Sequence, residues 1–495
     1  MPAYLMRLAD LLLPELDSPP GSEGIEIVSI TADSRAVLPG TLFAALPGVR
    51  TDGARFVSDA IERGAAAILA PEGAALPSDL LVPVIRATDP RRALALMAAR
   101  LFPGQPDTAV AVTGTNGKTS VVEFTRQLYA ALGHRAASLG TIGLVKPDGG
   151  RYGALTTPDP VSMHQMLAGL AGEGVTHLAF EASSHGLDQR RLDGVRLAAA
   201  AFTNFGRDHL DYHASVEDYF SAKLRLFQSL LEPGRPAVIN ADDPRASEVA
   251  TVALRRGQHI VSVGRCGDTL KLEGVEPEGF GQRLRIRHEA FIHEVDLPLL
   301  GAYQASNALV AAGLAIATGE DPSAVIGALA ALQGVNGRLD VVGQPEDDGL
   351  VVVDYAHKPE ALEAALLALR PFAKGRLICV VGCGGDRDRG KRPIMGRIAV
   401  THADRVIVTD DNPRSEDAAS IRAEILAGAP GAIEIGDRLA AIQAAVDMMQ
   451  SGDVVLVAGK GHETGQIVGN TVIPFSDHDA VRDALAQRAP GRTSP

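Results

Sequence analysis

The chain has 495 residues, of which 46% are apolar and 22% charged, with a formal net charge of −13. That length suits about three domains at roughly 150 residues each, and several cores can be buried. The acidic balance excludes a large nucleic-acid surface, because phosphate backbones need a basic face, but it allows small anions at local sites.

The first block runs to residue 106. Its opening stretch, MPAYLMRLADLLLPELD, sets Arg7, Asp10, Pro14 and Glu15 among its apolar residues, which breaks a signal-peptide pattern. Short strand-like runs follow (IEIVSI, AAAILA, LVPVIRA), then a helix, RRALALMAARLF. FPGQPD is a Pro/Gly linker.

The second block spans 107–338. AVAVTGTNGKTS reads as a strand, a tight glycine loop and the start of a helix. Val121, Phe124, Leu128, Ala131 and Leu132 recur at helical spacing on that helix. Backbone N–H groups of the loop and the helix N-terminus make an anion cradle. Lys118 is placed to neutralise outer phosphates and Thr119 to ligand Mg²⁺. The first glycine of the usual phosphate-loop pattern is replaced by Val112.

Glu181 closes an apolar run, and a carboxylate at a strand end is placed to reach Mg²⁺. The competing reading is a hydrogen-bonded acid in a turn. His209 and His213 are four apart, but no glutamate follows His209, so the zinc-protease pattern fails. In SVEDYFSAKLRLF, Val216, Tyr219, Phe220, Lys223 and Phe227 fall roughly on one face, where Lys223 is the odd member and its bland reading is a snorkelling lysine. Leu297 to Gly319 is uncharged and long enough to mimic a membrane span. Pro298, Gly301, Gln304, Ser306 and Asn307 interrupt it, and a buried helix starting near Ala302 fits better. No membrane span is expected.

The third block spans 339–495. LVVVDY, RLICVVG, RVIVTD and VVLVAG alternate with helical stretches, which predicts βαβ units and a parallel sheet. Ligands bind at the carboxyl ends of such strands, where Asp354, Gly382, Asp411 and Gly459 lie. GCGGDRDRGKR lacks the third glycine of a dinucleotide loop, and its Arg387, Arg389, Lys391 and Arg392 look suited to anions. In VTDDNPRSED four acids surround Arg414. Ser415 is the expected N-cap of the following helix. Cys266, Cys379 and Cys383 are too few, and odd in number, for a disulfide framework, as in a reduced cytoplasmic protein.

Taken together, GTNGKTS, EASSHGLDQ, TNFGRDHLDYH with the later lysine, DYAHKPEAL, GGDRDRGKRP, DNPRSED and GKGHE resemble, in order and over nearly the whole chain, the Mur ligase family. The resemblance implies an α/β chain of three domains: an N-terminal α/β UDP-sugar-binding domain (1–106), a central P-loop ATPase domain with a mainly parallel sheet (107–338), and a C-terminal Rossmann-like domain (339–495) for the incoming amino acid. It implies an ATP-dependent, Mg²⁺-using ligase, cytoplasmic and monomeric, that adds meso-diaminopimelate to UDP-N-acetylmuramoyl-L-Ala-D-Glu through an acyl phosphate.

By the same matching, Gly114, Thr115, Asn116, Gly117, Lys118, Thr119 and Ser120, with Asn307, Arg338, Asp354 and His357, would bind ATP. Thr119, Glu181, His209 and a carbamylated Lys223 would hold Mg²⁺, with Lys118, Glu181, His209 and Lys223 in catalysis. Ser34, Thr156, Thr157, Ser183, Gln189 and Arg191 would hold the UDP-muramyl dipeptide. Arg387, Asp411, Asn412, Pro413, Arg414, Gly459 and Glu463 would hold diaminopimelate. Gln304 stands where the family usually has asparagine. Rival readings are a lysine-adding muramyl ligase, a folylpolyglutamate-type ligase and, in another class, a P-loop regulatory ATPase that makes no covalent product. A nicotinamide-dependent oxidoreductase is disfavoured by the missing glycine.

Overall fold

A computed structural model describes residues 5–48, 51–77, 80–149, 151–152, 156–209, 212–344 and 349–488. Leu210 and Asp211, inside the histidine motif, lie outside these residues. The chain divides into two compact units: Met1–Leu270 with Val310–Val325, and Lys271–Leu309 with Ile326–Pro495.

The first unit begins with four parallel strands in chain order: β1 (Ser29–Thr31), β2 (Thr41–Ala44), β3 (Ala65–Pro71) and β4 (Val84–Ala87). The sequence reading missed β2, whose four residues TLFA are all buried and show no alternation. Helix α1 (Pro90–Leu101) covers one face. Asp89 caps it by accepting from the Arg92 N–H, with proline at the first helical position.

A second sheet in this unit carries the glycine loop. Its strands are β5 (Thr108–Thr113), β6 (Ala136–Gly140), β7 (Gly143–Val145), β8 (His177–Glu181), β9 (Ala199–Phe202), β10 (Pro236–Asn240) and β11 (His259–Gly264). Their order is β7-β6-β8-β5-β9-β10-β11, parallel except for β7. Helix α2 (Lys118–Ala131) follows β5. It buries Val121, Phe124 and Leu128 as its spacing predicts, together with Tyr129, while Ala131 is exposed. Helix α3 (Pro160–Gly172) is capped by Asp159, and its Val161 and Ala168 join the apolar cluster of α1. The short α4 (Ser184–Asp188) is capped by Ser183. Helix α5 (Val216–Arg225) buries Tyr219, Phe220 and Lys223, with Phe227 buried beyond it. Val216 is exposed, so the inward face is narrower than the spacing suggests.

In the second unit three antiparallel strands, β12 (Leu270–Glu278), β13 (Gly281–His288) and β14 (Phe291–Leu297), precede helix α6 (Ala302–Ala317), which starts where expected and whose C-terminal half, from Val310, belongs to the first unit. Among the described residues no helix is long and apolar enough to cross a membrane. The remaining strands are β15 (Asp340–Gly343), β16 (Leu350–Asp354), β17 (Leu377–Val381), β18 (Arg405–Val408), β19 (Ile433–Glu434) and β20 (Val454–Ala458), in the order β15-β16-β20-β17-β18-β19, parallel except for β15. β16, β17 and β20 are buried throughout, as strands covered on both faces must be. The helices are α7 (Pro359–Leu369), α8 (Lys391–His402), α9 (Ala418–Leu426), α10 (Arg438–Asp447) and α11 (Asp477–Gln487). A hairpin, β21 (Gly465–Val468) and β22 (Thr471–Pro474), had no sequence forecast.

One ion pair anchors the strand ends of this unit. Arg438 and Asp477 have fully buried side chains and meet through two bonds of 2.7 Å, and Arg438 also donates to the Ala458 carbonyl at 3.1 Å, at the end of β20. Replacing Asp477 by Ala strands a buried guanidinium. The expected loss is about 3–5 kcal/mol of unfolding free energy in this unit, read from a urea transition. A loss under about 1 kcal/mol, the level of an exposed pair, would contradict the buried assignment.

Candidate active site

The glycine loop joins β5 to α2. Gly114 has φ +145°, and a Cβ there would sit 1.9 Å from the Thr203 hydroxyl, so only glycine fits. The Thr203 hydroxyl donates to the Asn116 carbonyl at 2.7 Å, and Asn204 holds both the N–H and the carbonyl of Asn116. Thr115 bonds the Tyr219 hydroxyl at 3.2 Å. The loop is therefore held from β9 and α5. The Lys118 ammonium donates to the carbonyls of Gly114 and Thr115, both at 2.9 Å, and Ser120 is buried in the first turn.

Glu181 stands at the end of β8 with only 1% of its surface exposed. It accepts from the Thr119 hydroxyl at 2.9 Å, the Thr141 N–H at 2.7 Å and the Thr141 hydroxyl at 3.2 Å. Thr141 was not foreseen. Its signal is weak: a threonine among small residues (SLGTIG) just past a strand. The Thr119 hydroxyl and Glu181 carboxylate are hard oxygen donors side by side at the helix N-terminus, a set that suits Mg²⁺.

Lys223 is buried and donates to the Gly114 carbonyl at 2.7 Å, with its ammonium 4.3 Å from the Tyr219 ring centre. Burial pushes the Tyr219 hydroxyl well above its ordinary pKa. His209 adopts a left-handed backbone (φ 52°), and its ring lies 3.4 Å from the Asp208 carboxylate. The rings of His185 and Tyr219 are 4.9 and 5.8 Å away, centre to centre. His209 and His213 precede α5 rather than lying on it.

A third cluster follows β8. The Thr157 hydroxyl donates to the Glu181 carbonyl at 2.9 Å and bonds the Ser183 hydroxyl at 2.9 Å, while Thr156 bonds Thr141 at 3.1 Å. Arg191 donates to the Thr157 carbonyl at 2.7 Å and to Gln189 at 2.8 Å. Gln189 and Arg191 line a cavity of about 600 Å³ together with Arg91, Asp159, Gln165 and Asp33. Ser34 lies between two other lining residues, Asp33 and Ala36, in a 3₁₀ turn capped by Asp33. Arg91, contributed by α1, was missed because a cation on an exposed helix turn carries no motif.

In the second unit Arg338, Asp354 and His357 gather near the end of β16. Asp354 accepts from the Leu339 N–H at 2.7 Å, and the Arg338 guanidinium lies 4.5 Å from the Tyr355 ring centre. Burial pushes the Asp354 carboxyl up to about 6, against the pull of Arg338. Burial also holds the His357 imidazole down at about 4, although its Nδ1 meets the Tyr355 carbonyl at 2.7 Å. Asn307 is buried on α6 and donates to Gln304 at 2.9 Å, while Gln304 donates to the Arg338 carbonyl at 3.2 Å. Gln304 thus keeps a side-chain role despite its departure from the family pattern.

The four acids of VTDDNPRSED turn away from Arg414. Asp410 pairs with Arg422, Asp411 with Lys460 at 3.4 Å and Glu416 with Arg392 at 2.8 Å. Asp417 caps α9 by accepting from the Ser420 N–H at 2.8 Å. Ser415 is not the cap: its hydroxyl donates to Asp386 at 2.6 Å. Nor is the basic loop free for anions throughout. Arg392 is fully buried between Glu416 and Glu424, Arg389 also pairs with Glu424, and Lys391 donates to the His357 carbonyl. Arg387 is exposed and donates to the Asp386 carbonyl at 3.1 Å.

Arg414 has φ 51°, with its main chain bonded to Ile467 and Gly469 of the hairpin. Its guanidinium donates to the Gly385 carbonyl at 2.8 Å, and a Cβ on Gly384 would come within 2.7 Å of it. Pro413 approaches Gly385 as closely, since a Cβ there would lie 1.9 Å from the Pro413 carbonyl. The glycines that mimicked a dinucleotide loop serve this loop-on-loop contact. Asn412 donates to Glu463 at 2.9 Å, and Gly459 donates its N–H to the Asp354 carbonyl. Lys460, missed although it stands inside GKGHE, is fully buried and bonds Asn412 and the Gly465 carbonyl.

Asp354 supplies a pH test. Its folded pKa is raised from 3.8 to about 6, so the folded chain holds this proton more tightly. Its contribution to stability is fully present below the ordinary value and is lost as pH rises through about 6. Asp354→Asn is expected to remove that fall from a pH series of denaturation midpoints. Parallel wild-type and variant curves would refute it.

The chain matches three family domains: the Mur ligase family catalytic domain over residues 26–102, the Mur ligase middle domain over 112–315 and the Mur ligase glutamate ligase domain over 337–461. It is 56% identical over 481 residues to the UDP-N-acetylmuramoyl-L-alanyl-D-glutamate–2,6-diaminopimelate ligase of Agrobacterium fabrum, covering 97% of this chain and 96% of that one. It is 58% identical over 470 residues to the ligase of the same name from Brucella melitensis, covering 95% and 96%. A solved ligase of that name is 34% identical, with a TM-score of 0.69 over 93% of this chain and 95% of that one. A MurF ligase of Thermotoga maritima in complex with ADP shares the fold, at 21% identity and a TM-score of 0.61, covering 93% and 98%.

Proposed function

This chain belongs to the Mur ligase family, and from that premise we propose how its residues carry out the family's chemistry. It is an ATP-dependent, amide-forming ligase that adds meso-2,6-diaminopimelate to the D-glutamate of UDP-N-acetylmuramoyl-L-alanyl-D-glutamate in peptidoglycan synthesis. Identity above 55% over nearly the full length of two ligases of that name carries the reading. We assign residues 1–106, 107–338 and 339–495 to its muramyl-nucleotide, ATP and amino-acid domains, and place the enzyme in the cytoplasm, where ATP is made.

A carboxylate is a poor acyl donor. Transfer of the terminal phosphoryl group of ATP to the D-glutamate γ-carboxylate gives it a good leaving group. The amine of the incoming amino acid then attacks the acyl carbon, and the tetrahedral species expels phosphate. Two anions must meet in the first step, so cations must stand around them. Lys118 and the N–H groups of the glycine loop and first helical turn are the fixed part of that screen, with Gly114, Gly117, Thr119 and Ser120 supplying donors and Thr115 and Asn116 held to Asn204 as its frame. Thr119 and Glu181 suit Mg²⁺ by their donor type, and a bound Mg²⁺ would supply further charge neutralisation on the phosphates. Asn307, Arg338, Asp354 and His357 keep the ATP role that the resemblance gives them. Ser34, Thr156, Thr157, Ser183, Gln189 and Arg191 keep the muramyl-nucleotide role. Two of these line the cavity and the others brace it or lie beside it.

Lys223 is assigned to a carbamate, with His209 as its companion at a second Mg²⁺. The support is electrostatic. Lys118 and Lys223 donate to one acceptor, the Gly114 carbonyl, and two ammonium groups so placed repel. Addition of CO₂ to the neutral amine, with loss of a proton, replaces one of them by an oxygen-donor anion.

The far end of diaminopimelate carries both a carboxylate and an ammonium, so its pocket needs both signs. Arg414 offers a planar fork for the carboxylate. Glu463 and Asp411 offer acceptors for the ammonium, with Asn412, Pro413, Gly459 and Arg387 framing them. A lysine-adding enzyme needs only the acceptors. Arg414→Ala should lower kcat/KM for diaminopimelate by ~10²-fold or more, given roughly 3 kcal/mol for a charge-assisted pair. Phosphate release should need muramyl dipeptide and diaminopimelate together. A preference for lysine, or steady ATP hydrolysis without any amino acid, would sink the assignment.

A further inference from the structure

At the other end of the glycine-loop sheet, three metal-ligating side chains converge. His134, His177 and Glu320 each place one ligand atom within 4.8 Å of the others. His134 Nε2 and Glu320 Oε1 are 2.8 Å apart. The His134 and His177 rings lie 3.9 Å apart, centre to centre, and Nδ1 of His177 bonds the Thr176 hydroxyl at 2.9 Å, which fixes the ring's orientation. His177 is buried, whereas the side chains of His134 and Glu320 are 30% and 19% exposed, so a small ion has a route in.

The backbone presents these groups on rigid supports. Helices α2 and α6 end in the same way. Gly133 (φ +91°) and Gly319 (φ +110°) terminate them, and the next residues, His134 and Glu320, return an N–H to the carbonyls of Tyr129 and Ala315, five residues back. The tails are tied by the Tyr129–Thr318 hydroxyl bond at 2.8 Å. His177 opens β8, the strand that ends in Glu181, and four strand steps at ~3.3 Å put the cluster ~13 Å from that carboxylate. None of the three belongs to any motif assigned above.

We propose that His134, His177 and Glu320 form a site for a first-row transition-metal cation of the Zn²⁺ class, separate from the Mg²⁺ chemistry at the glycine loop. Two imidazoles and one carboxylate match Zn²⁺ and not Mg²⁺, which prefers oxygen alone. A fourth position is open to water. The Thr176 hydroxyl on Nδ1 supports the His177 imidazole from behind and leaves Nε2 to face the ion. The ion would staple the tails of α2 and α6 to the start of β8, so its effect is on stability rather than on the reacting atoms.

The test is calorimetric titration of the whole chain with ZnCl₂ in excess Mg²⁺, with X-ray absorption on the zinc-loaded protein. The expected result is one saturable equivalent, a zinc shell containing two imidazoles, and a thermal midpoint that rises with zinc. His134→Gln and Glu320→Gln should each weaken that binding at least tenfold and abolish the rise, while ligase activity in Mg²⁺ stays at the wild-type level. If either variant fails to fold, absorption on the wild type decides alone. No saturable zinc, a shell without two imidazoles, or undiminished binding by a folded variant would overturn the site.

Discussion

A carboxylate closed off from water must have its oxygens answered, and Glu181 sets this demand at the centre of the first unit. The hydroxyl of the first helical turn after the glycine loop, the N–H and hydroxyl of the 141 turn, and the strand that carries Glu181 are drawn to one point. The main-chain carbonyl of Glu181 then takes the Thr157 hydroxyl, which leads through Arg191 to the cavity wall. A change in the charge or ligation of this one group would reach both the glycine loop and the cavity wall through this chain of bonds. Charge-assisted bonds in a low-dielectric interior transmit such a change better than apolar contact does.

The second unit meets the same demand with the opposite sign. Arg392, Arg438 and Lys460 are all fully buried, and each is matched by acids or carbonyls. These ion pairs are weak arguments for stability as such. Their effect is geometric: they stitch the ends of β17, β18 and β20 to the helices that follow. The acids around Arg414 that looked like a charge imbalance are used in this stitching, and the guanidinium rests instead on backbone carbonyls.

Much of the fold was legible because buried parallel strands write themselves as apolar runs. β16, β17, β18 and β20 all stand where the runs predicted. β2 and the hairpin were not legible: the first is four residues without alternation, and the second is largely exposed and lacks a strong turn signal. At the candidate site, Gly114, Lys118 and Arg414 were singled out from their motifs, while Thr141, Arg91 and even Lys460, inside GKGHE, were not. Their identity as partners depends on which chain segment lies opposite, and one sequence cannot supply that. The N-cap of α9 is Asp417 rather than Ser415 because the helix begins only at Ala418, and Ser415, two residues before the cap, is held to Asp386 instead.

The support beneath Arg414 comes from segments far apart in the chain. Its side chain lies on Gly384 and Gly385, and its main chain is clasped by Ile467 and Gly469. These segments are some 30 and 50 residues from Arg414 in opposite directions along the chain. A graft of the DNPR tetrapeptide alone into a relative with other residues at those places would carry the letters but not the posture. The posture of Arg414 is therefore a property of three chain segments together, and drift at either glycine is constrained by a residue it never adjoins.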